Sequence, residues 1–562
     1  MNASSFRTHL LLAALALIGM SCGGDDGGGP ESTADAGEPV GQVGADGSTV
    51  APPAPGAGLL VTTAGGVLEG TVANGARAFL GIPYSAPPVG DKRFAPPVRA
   101  APWQGTRSAT TLAPSCAQLK YTAAEFESNS REDCLYLNVW APPAPSAPAA
   151  PPLPVMVWLH GGSYQIGSGG ANGGEALALA GNVIVVGINY RLAAAGYFAH
   201  PALSAENGAA GAPKANAGIL DQRLALEWVR DNIAAFGGDK NNVTLFGDSA
   251  GGNSICIHLA SEGSRALFQR AIVQSGMCMK PALTLAEAEA MGERYAREVG
   301  CTDPATVLSC LRMKDIASII KPPSTFTREL GGTFYRHSAA SFAFQPVIDG
   351  QVVTEQLESA FAAGRIAKVP VLHGVNASEG LLFHLGIFGD RPPTTREEYL
   401  SALSARFGAR ATEVEARYPF APDALSRLTN DWLFYCPAAR MARHLRNAGV
   451  KSYLYRFDLP LASPPLRGLL GQAFHSSEIS YIFGTDSALG KLPPENVPQS
   501  KAIAGYWTRF AATSDPNGAG APASWPVFDQ TSQHLELAQT IAPKQGFGAG
   551  CELWETLVPS AP

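Results

Sequence analysis

The feature that most constrains this chain is a serine held between glycines at the end of an apolar run. Val243-Thr244-Leu245-Phe246 has the composition of a buried strand, and Gly247-Asp248-Ser249-Ala250-Gly251 follows it directly. Small residues on both sides of a serine let the backbone turn sharply and leave the hydroxyl exposed above a sheet. The pattern therefore predicts a nucleophile elbow, with Ser249 as the nucleophile of a serine hydrolase.

The N-terminal segment is predicted to be a targeting sequence. Residues 1–21 contain the apolar run Leu10–Met20, which is too short to span a bilayer and is typical of a secretory signal peptide. Cys22 follows the small Ser21, as in bacterial lipoprotein cleavage sites, although Gly19 stands where such sites usually carry leucine. We expect an exported protein: a cell-envelope lipoprotein of the outer membrane or periplasm anchored through Cys22, or a secreted protein cleaved without lipidation. An uncleaved membrane anchor is the remaining alternative.

Residues 22–57 are rich in Gly, Pro, Ser, Ala and acidic residues and contain almost nothing large and apolar. Such a segment cannot bury enough surface to offset its ordering entropy, so it is predicted to be a disordered, flexible tether. Its acidic residues account for nearly all of the formal net charge of −6. The rest of the chain is about neutral, which gives no support for nucleic-acid binding or for a polybasic membrane patch.

The chain has 9 cysteines, and Cys22 accounts for the odd one. The others can all pair in an oxidising compartment, and the sequence alone does not fix how. The alternative is that some, especially Cys256 within a predicted helix, are buried thiols. The eight are Cys116, Cys134, Cys256, Cys278, Cys301, Cys310, Cys436 and Cys551.

After residue 57, apolar runs alternate with helical stretches, which predicts one α/β domain over 58–562 around a mostly parallel sheet. A helix is predicted over Ile219–Phe236, stopped by Gly237-Gly238. The stretch Leu283–His444 is predicted to supply helices that cap the sheet. The continuous apolar runs typical of strands covered on both faces are Val155–Leu159, Asn182–Ile188, Val243–Phe246, Ala271–Gln274 and Val369–Gly374.

A serine nucleophile needs a base, an acid that orients the base, and donors for the oxyanion. In α/β hydrolases the acid and then the histidine follow the serine, and one donor loop follows an earlier strand. The loop His160-Gly161-Gly162-Ser163-Tyr164 stands at the end of a predicted strand, where backbone amides would face a substrate carbonyl.

An ordered set of motifs between about Leu60 and Pro559 resembles the type B carboxylesterases, which include cholinesterases, related fungal lipases and bacterial para-nitrobenzyl esterases. The resemblance implies the α/β-hydrolase fold, with a central, mostly parallel sheet flanked by helices and with helical cap insertions. It also implies a carboxylic ester hydrolase without cofactor or metal. The motifs that carry it are Phe79–Tyr84, Glu132–Asn138, Asn189–Leu192, Ala225–Val229 and Phe236–Gly251.

The same resemblance implies a catalytic triad of Ser249, Glu379 and His475. Glu379 lies in Gly374-Val-Asn-Ala-Ser-Glu-Gly380, and His475 lies in Ala473-Phe-His-Ser-Ser-Glu-Ile-Ser-Tyr-Ile-Phe-Gly484. Asp349 is another carboxylate near a strand end, but there the family's pattern has a structural residue.

The resemblance implies that the oxyanion donors are the backbone amides of Gly162, Ser163 and Ala250. Ser163 stands where the family usually has Gly or Ala, and its hydroxymethyl group narrows the pocket or adds a hydrogen bond. Asp248 stands where many relatives carry glutamate, with a shorter reach into the site. Ser275 occupies a position that in the family supports the site, with a plain strand-end role as the alternative.

The disulfide pairs implied by the resemblance are Cys116 with Cys134, Cys301 with Cys310, and Cys436 with Cys551. Cys256 and Cys278 then remain to form the fourth disulfide.

The predicted activity is hydrolysis of small to medium carboxylic esters through an acyl-enzyme at Ser249. The alternatives are a non-catalytic binding protein on the same fold, or a lipase acting on longer-chain esters. The segment between Cys116 and Cys134 is short and lacks the tryptophan with which cholinesterases bind a quaternary ammonium, which argues against choline esters. The expected partner is a small-molecule ester, and the sequence specifies no oligomeric state.

Overall fold

The structure is a computed structural model that describes residues 58–120, 125–145, 150–206, 208, 214–321, 344–384, 393–462 and 471–557. The predicted signal peptide, Cys22 and the predicted tether lie outside the described residues.

The strands of the described chain are, in order, β1 (Leu60–Thr63), β2 (Gly66–Glu69), β3 (Thr71–Ala73), β4 (Ala76–Pro83), β5 (Thr106–Ser108), β6 (Ser115–Cys116), β7 (Ser130–Arg131), β8 (Tyr136–Ala141), β9 (Leu153–Leu159), β10 (Ile184–Ile188), β11 (Gly238–Asp248), β12 (Arg270–Gln274), β13 (Val371–Asn376), β14 (Ser452–Phe457), β15 (His534–Leu537) and β16 (Ala542–Lys544).

An 11-stranded sheet forms the centre of the protein, in the order β16-β15-β14-β13-β12-β11-β9-β10-β8-β4-β3. Its middle, from β10 through β9, β11, β12, β13 and β14 to β15, is parallel throughout. Antiparallel strands are added at both edges, β8, β4 and β3 on one side and β16 on the other. The predicted mostly parallel sheet is confirmed, and small separate sheets form from β1, β2 and β5 and from β6 and β7.

The α-helices of the described chain are α1 (Glu175–Gly181), α2 (Ala193–Tyr197), α3 (Pro201–Glu206), α4 (Ala217–Asn232), α5 (Ala250–Ala260), α6 (Leu285–Glu298), α7 (Val307–Met313), α8 (Ile316–Ile319), α9 (Leu357–Ala362), α10 (Gly380–His384), α11 (Arg396–Phe407), α12 (Ala411–Arg417), α13 (Ala424–Asn430), α14 (Cys436–Asn447), α15 (Ile479–Phe483), α16 (Val497–Thr513) and α17 (Glu552–Leu557).

Several element boundaries differ from those predicted, and two of the differences have a clear local cause. The run from Asn182 enters β10 only at Ile184, because Asn182 is the left-handed C-cap of α1, with φ of 48°. The helix predicted over Ile219–Phe236 is α4 followed by a 3₁₀ turn, Ile233–Phe236, and Gly237 ends that turn at φ of 94°. The predicted stretch of helices between 283 and 444 is confirmed for the described residues by α6 to α14.

Both faces of the sheet are covered by helices, which explains why its central strands are continuously apolar. Because side chains alternate along a strand, Val157 and its neighbours two residues away face α4 and α5. Trp158 faces the opposite layer, where it packs with Phe246 and with Trp507 of α16 in one buried cluster.

The register of the parallel strands brings their carboxyl ends to one edge of the sheet. Gly247 of β11 is paired with Leu159 of β9 and with Val273 of β12, and Gln274 is paired with Gly374 of β13. The loops that follow these four strands therefore begin side by side, which is where ligands bind in open α/β sheets.

Four disulfide bonds join the eight cysteines in the pairs expected: Cys116–Cys134, Cys256–Cys278, Cys301–Cys310 and Cys436–Cys551. Among the described residues, no helix is both long and apolar enough to cross a membrane.

The disulfides should differ in their contribution to stability, because their sequence separations are 115 residues for Cys436–Cys551 and 9 for Cys301–Cys310. In the chain-entropy model, the bridge that closes the longer loop removes more conformational entropy from the unfolded chain. The resulting difference in stabilisation is about 2 kcal/mol. We expect Cys436→Ser/Cys551→Ser to lower the free energy of unfolding in urea by more than Cys301→Ser/Cys310→Ser. Equal losses would contradict this expectation.

Candidate active site

Ser249 occupies a sharp turn between β11 and α5. Its backbone has φ of 56° and ψ of −117°, a left-handed conformation that costs energy for any residue but glycine. The turn is tight because α5 begins directly over β9: a Cβ on Gly251 would lie 1.9 Å from the carbonyl oxygen of Leu159. The glycines of the motif are thus required by close backbone contact, and the predicted elbow is confirmed in its geometry.

Glu379 and His475 are joined by a short hydrogen bond. The distance between Nδ1 of His475 and Oε2 of Glu379 is 2.5 Å, and both side chains are buried. The other carboxylate oxygen, Oε1, accepts from the Ser275 hydroxyl and from the Asn376 backbone N–H, each at 2.6 Å. The carboxylate therefore has three donors, and Ser275 takes the supporting position that the sequence resemblance implied.

A second short bond joins the chain beside Ser249 to the chain beside His475. The Ser476 hydroxyl donates to Oδ2 of Asp248 at 2.5 Å, between residues that are 228 positions apart. The Asn376 side-chain amide donates to the backbone oxygen of Phe474 at 2.8 Å on the other side of the histidine. The residues on both sides of His475 are thus hydrogen-bonded to strand ends, Ser476 to the end of β11 and Phe474 to the end of β13.

Buried charges set the protonation of the imidazole. Burial alone lowers the pKa of His475, but the carboxylates of Glu379, Asp248 and Glu478 raise it to about 9. Burial raises the pKa of Asp248 to about 6. Burial, reinforced by Asp248 and Glu379, holds the pKa of Glu478 well above its usual range.

Glu478 has a dedicated set of partners that the sequence did not reveal. Its carboxyl group accepts from the Asn376 side chain at 2.5 Å and from the Gln274 side chain at 3.2 Å, and Gln274 also accepts from the Trp507 indole at 3.1 Å. The available signal was a polar residue, Gln274, directly after the apolar residues Ala271–Val273 of β12.

The loop after β9 lies directly beside the elbow. A Cβ on Gly161 would lie 3.2 Å from Cβ of Ser249. Gly162, Ser163 and Tyr164 all have left-handed backbones, with φ of 102°, 58° and 63°. In the part of the chain that the structure describes, none of the loop and cap hydrogen bonds uses the backbone N–H of Gly162, Ser163 or Ala250 as its donor.

Two aromatic residues whose roles were not predicted from the sequence hold this loop. The Tyr190 hydroxyl donates to the backbone oxygen of His160 at 2.6 Å, and the two rings are stacked with centroids 4.3 Å apart. The Tyr164 hydroxyl accepts from the Asn253 side chain at 3.0 Å, which ties the loop to α5.

A small cavity, of about 40 Å³, opens between the loop after β9 and α5. Ser163 and Ala250 form one end, and Asn253 and Ile257 of α5 form one wall. The loop after β12, between Met277 and Ala282, forms a second wall, and residues between 345 and 357 complete the lining.

Asp349, the other carboxylate considered from the sequence, has a structural role. Its Oδ1 accepts the backbone N–H groups of Gln351, Val352 and Val353 at 2.8 to 3.1 Å, which closes a turn. Among the residues that the structure describes, no group of three or more His, Cys, Asp or Glu side chains is arranged to hold a metal ion.

Comparison with known proteins gives consistent relatives. The sequence model of the Carboxylesterase family matches residues 57–554. The chain is 32% identical over 531 residues to a liver carboxylesterase of Sus scrofa, covering 87% of this chain and 90% of that protein. It is 34% identical over 497 residues to the para-nitrobenzyl esterase of Bacillus subtilis (strain 168), covering 86% and 95%.

Solved structures agree with the sequence comparison. A PNB esterase superposes with a TM-score of 0.74 at 32% identity, covering 89% of this chain and 99% of that one. A thermophilic PNB esterase gives the same TM-score, identity and coverage. The neighbours therefore share the sheet and the surrounding helices over nearly their full length.

The charges around His475 generate a testable pH dependence. A base must be neutral to accept a proton, so ester turnover should rise with pH toward the imidazole pKa of about 9. Asp248→Asn keeps an acceptor for Ser476 but removes a negative charge, so it should lower that pKa and move the rising limb of kcat/KM to lower pH. The measurement is a pH profile with a chromogenic ester.

The matched control is Glu478→Gln, because Glu478 contributes less than Asp248 to the raised pKa of His475. This variant should move the limb less than Asp248→Asn. Equal displacement by the two variants, or none with Asp248→Asn, would contradict the electrostatic account.

Proposed function

The chain belongs to the carboxylesterase family and is a carboxylic ester hydrolase, and from that premise we propose that Ser249, His475 and Glu379 hydrolyse small to medium esters through an acyl-enzyme. The observation that carries the assignment is the 2.5 Å bond between Glu379 and His475. A second hydrogen bond, between Ser476 and Asp248, joins the histidine segment to the elbow that contains Ser249.

In the first step, the Ser249 hydroxyl attacks the ester carbonyl carbon while His475 takes its proton. Glu379 orients the imidazole through Nδ1 and stabilises the cation that forms. The tetrahedral intermediate collapses as His475 passes the proton to the alcohol oxygen, so the alcohol leaves and an ester to Ser249 remains.

In the second step, water attacks the acyl-enzyme. His475 accepts a proton from the water and returns it to Oγ of Ser249 as the carboxylic acid departs. The enzyme is restored, and the net reaction consumes one ester and one water.

The negative charge of both tetrahedral intermediates is assigned to the backbone amides of Gly162, Ser163 and Ala250. Their support is the position of the loop against Ser249 and the left-handed backbone at Gly162 and Ser163. Donors fixed before the reaction need no reorganisation when charge develops, and each is typically worth roughly 2.7–4 kcal/mol of barrier.

Replacement of the nucleophile tests the assignment. Ser249→Ala should reduce kcat/KM for para-nitrophenyl acetate by about 10⁴-fold or more, because it removes the group that forms the covalent intermediate. Ser261→Ala, a buried serine just after the same helix, serves as the matched control and should retain activity. A phosphonate probe should add its mass to the peptide that contains Ser249.

Retained turnover in Ser249→Ala, or labelling elsewhere, would overturn the assignment. A wild-type protein that binds esters without turnover would instead favour a binding protein on this fold. Turnover confined to long-chain emulsified esters would favour a lipase.

The N-terminal sequence supports a second proposal, that the chain is exported and anchored to the bacterial cell envelope through a lipid on Cys22, or secreted after cleavage. Its support is the apolar run before Ser21-Cys22 and the acidic Gly- and Pro-rich stretch that follows. Four disulfide bonds are also typical of a protein in an oxidising compartment, as outside the cytoplasm.

Mass spectrometry of the mature N-terminus tests this proposal. In a Gram-negative host, the N-terminal peptide should begin at Cys22 and carry a diacylglyceryl group, and the esterase should fractionate with membranes. Cys22→Ala should lose the lipid and leave the membrane fraction. An N-terminus at Met1, or an unmodified Cys22 in a membrane-bound protein, would contradict it.

A further inference from the structure

The disulfide Cys256–Cys278 joins two walls of the cavity beside the oxyanion loop. Cys256 lies on α5 between Asn253 and Ile257, which both line the cavity. Cys278 follows Met277, which begins the second wall, in the loop after β12. Both sulfur atoms belong to fully buried residues, so the bridge lies within the packed interior.

The two walls are also in backbone contact next to the bridge. A Cβ on Gly252 of α5 would lie 2.8 Å from the carbonyl oxygen of Gln274 and 3.2 Å from Cα of Gly276. The loop after β12 therefore lies directly on the first turn of α5. Beyond Cys278 the same loop continues to Lys280, Pro281 and Ala282, which line the cavity.

The described lining of this cavity indicates which part of an ester enters it. The alcohol must face the imidazole that protonates it, so the acyl group extends on the other side of the carbonyl carbon. The described lining comes from the loop after β9, α5, the loop after β12 and residues between 345 and 357. It includes no residue of the histidine segment 471–484, so we assign this cavity to the acyl group.

We propose that the Cys256–Cys278 bridge fixes the width of the acyl cavity and thereby restricts the enzyme to short acyl groups. The proposal rests on the proposed function, because it assumes an acyl-enzyme at Ser249. Cys256 and Cys278 act as positioning residues: neither is among the described residues that line the cavity, and the bond acts through the walls it joins.

The test compares acyl-chain profiles of disulfide variants. Cys256→Ala/Cys278→Ala releases the loop from α5, so the ratio of kcat/KM for para-nitrophenyl hexanoate to that for the acetate should rise about fivefold, within the discrimination that apolar pockets achieve per methylene. Acetates of different alcohols should keep their relative rates, because the alcohol side is unchanged.

Two further variants separate the bond from packing and from general destabilisation. Cys256→Val/Cys278→Ala refills part of the lost volume without a bond, and it should show the same broadened profile; it also provides the readout if the first variant does not fold. Cys301→Ala/Cys310→Ala removes a disulfide between segments that contribute no described residue to this cavity, and it should lower thermal stability without changing the profile.

An unchanged hexanoate-to-acetate ratio in folded bridge variants would overturn the proposal while leaving the esterase assignment intact. Recovery of the wild-type ratio by the valine variant would also overturn it, because packing alone would then set the width. Absence of esterase activity in the wild-type protein would be a failure of the proposed function instead.

Discussion

The arrangement of the site depends on holding one carboxylate, Glu379, where water is excluded. Removing a carboxylate from water costs several kcal/mol unless hydrogen bonds or an opposite charge compensate. Here Ser275 and the backbone of Asn376 donate to one oxygen and His475 donates to the other. Because these donors come from the ends of β12 and β13 and from the histidine segment, the strands must be in register before the carboxylate is satisfied. The site is therefore formed by the fold as a whole.

The same edge of the sheet explains why so many small residues cluster around Ser249. Gly161, Gly247 and Gly251 all lie where a Cβ would meet backbone atoms or Ser249 itself at 3.2 Å or less. Close backbone contact between β9, β11 and α5 allows a donor loop and a nucleophile from different strands to face one small volume. The strain at Ser249 is sustained because the packing on both sides leaves no relaxed alternative.

The sequence predicted the parts of this site that local chemistry encodes. A serine between glycines after an apolar run identifies an elbow because few other structures need that pattern, and continuous apolar runs identified the central strands. Glu379 and His475 could be predicted only from the family resemblance, because residues on loops show no periodic pattern in the sequence. The bond between Asp248 and Ser476 and the links from Gln274 to Glu478 and Trp507 were not predictable. They join residues more than 200 positions apart through side chains common in many roles.

The carboxyl groups around His475 also explain how a shorter acid beside the nucleophile is accommodated. Asp248 is joined to the histidine segment by the hydrogen bond that the Ser476 hydroxyl donates to its Oδ2 at 2.5 Å. Three ionised carboxylates so close together would repel one another strongly, since neighbouring like charges disfavour ionisation. Burial and the neighbouring carboxylates hold the pKa of Glu478 well above its usual range, and its amide partners, Asn376 and Gln274, fix its position. Glu379 lies against the imidazolium formed during catalysis, while Asp248, with its pKa of about 6, adds a negative charge that is lost as the solution becomes acidic.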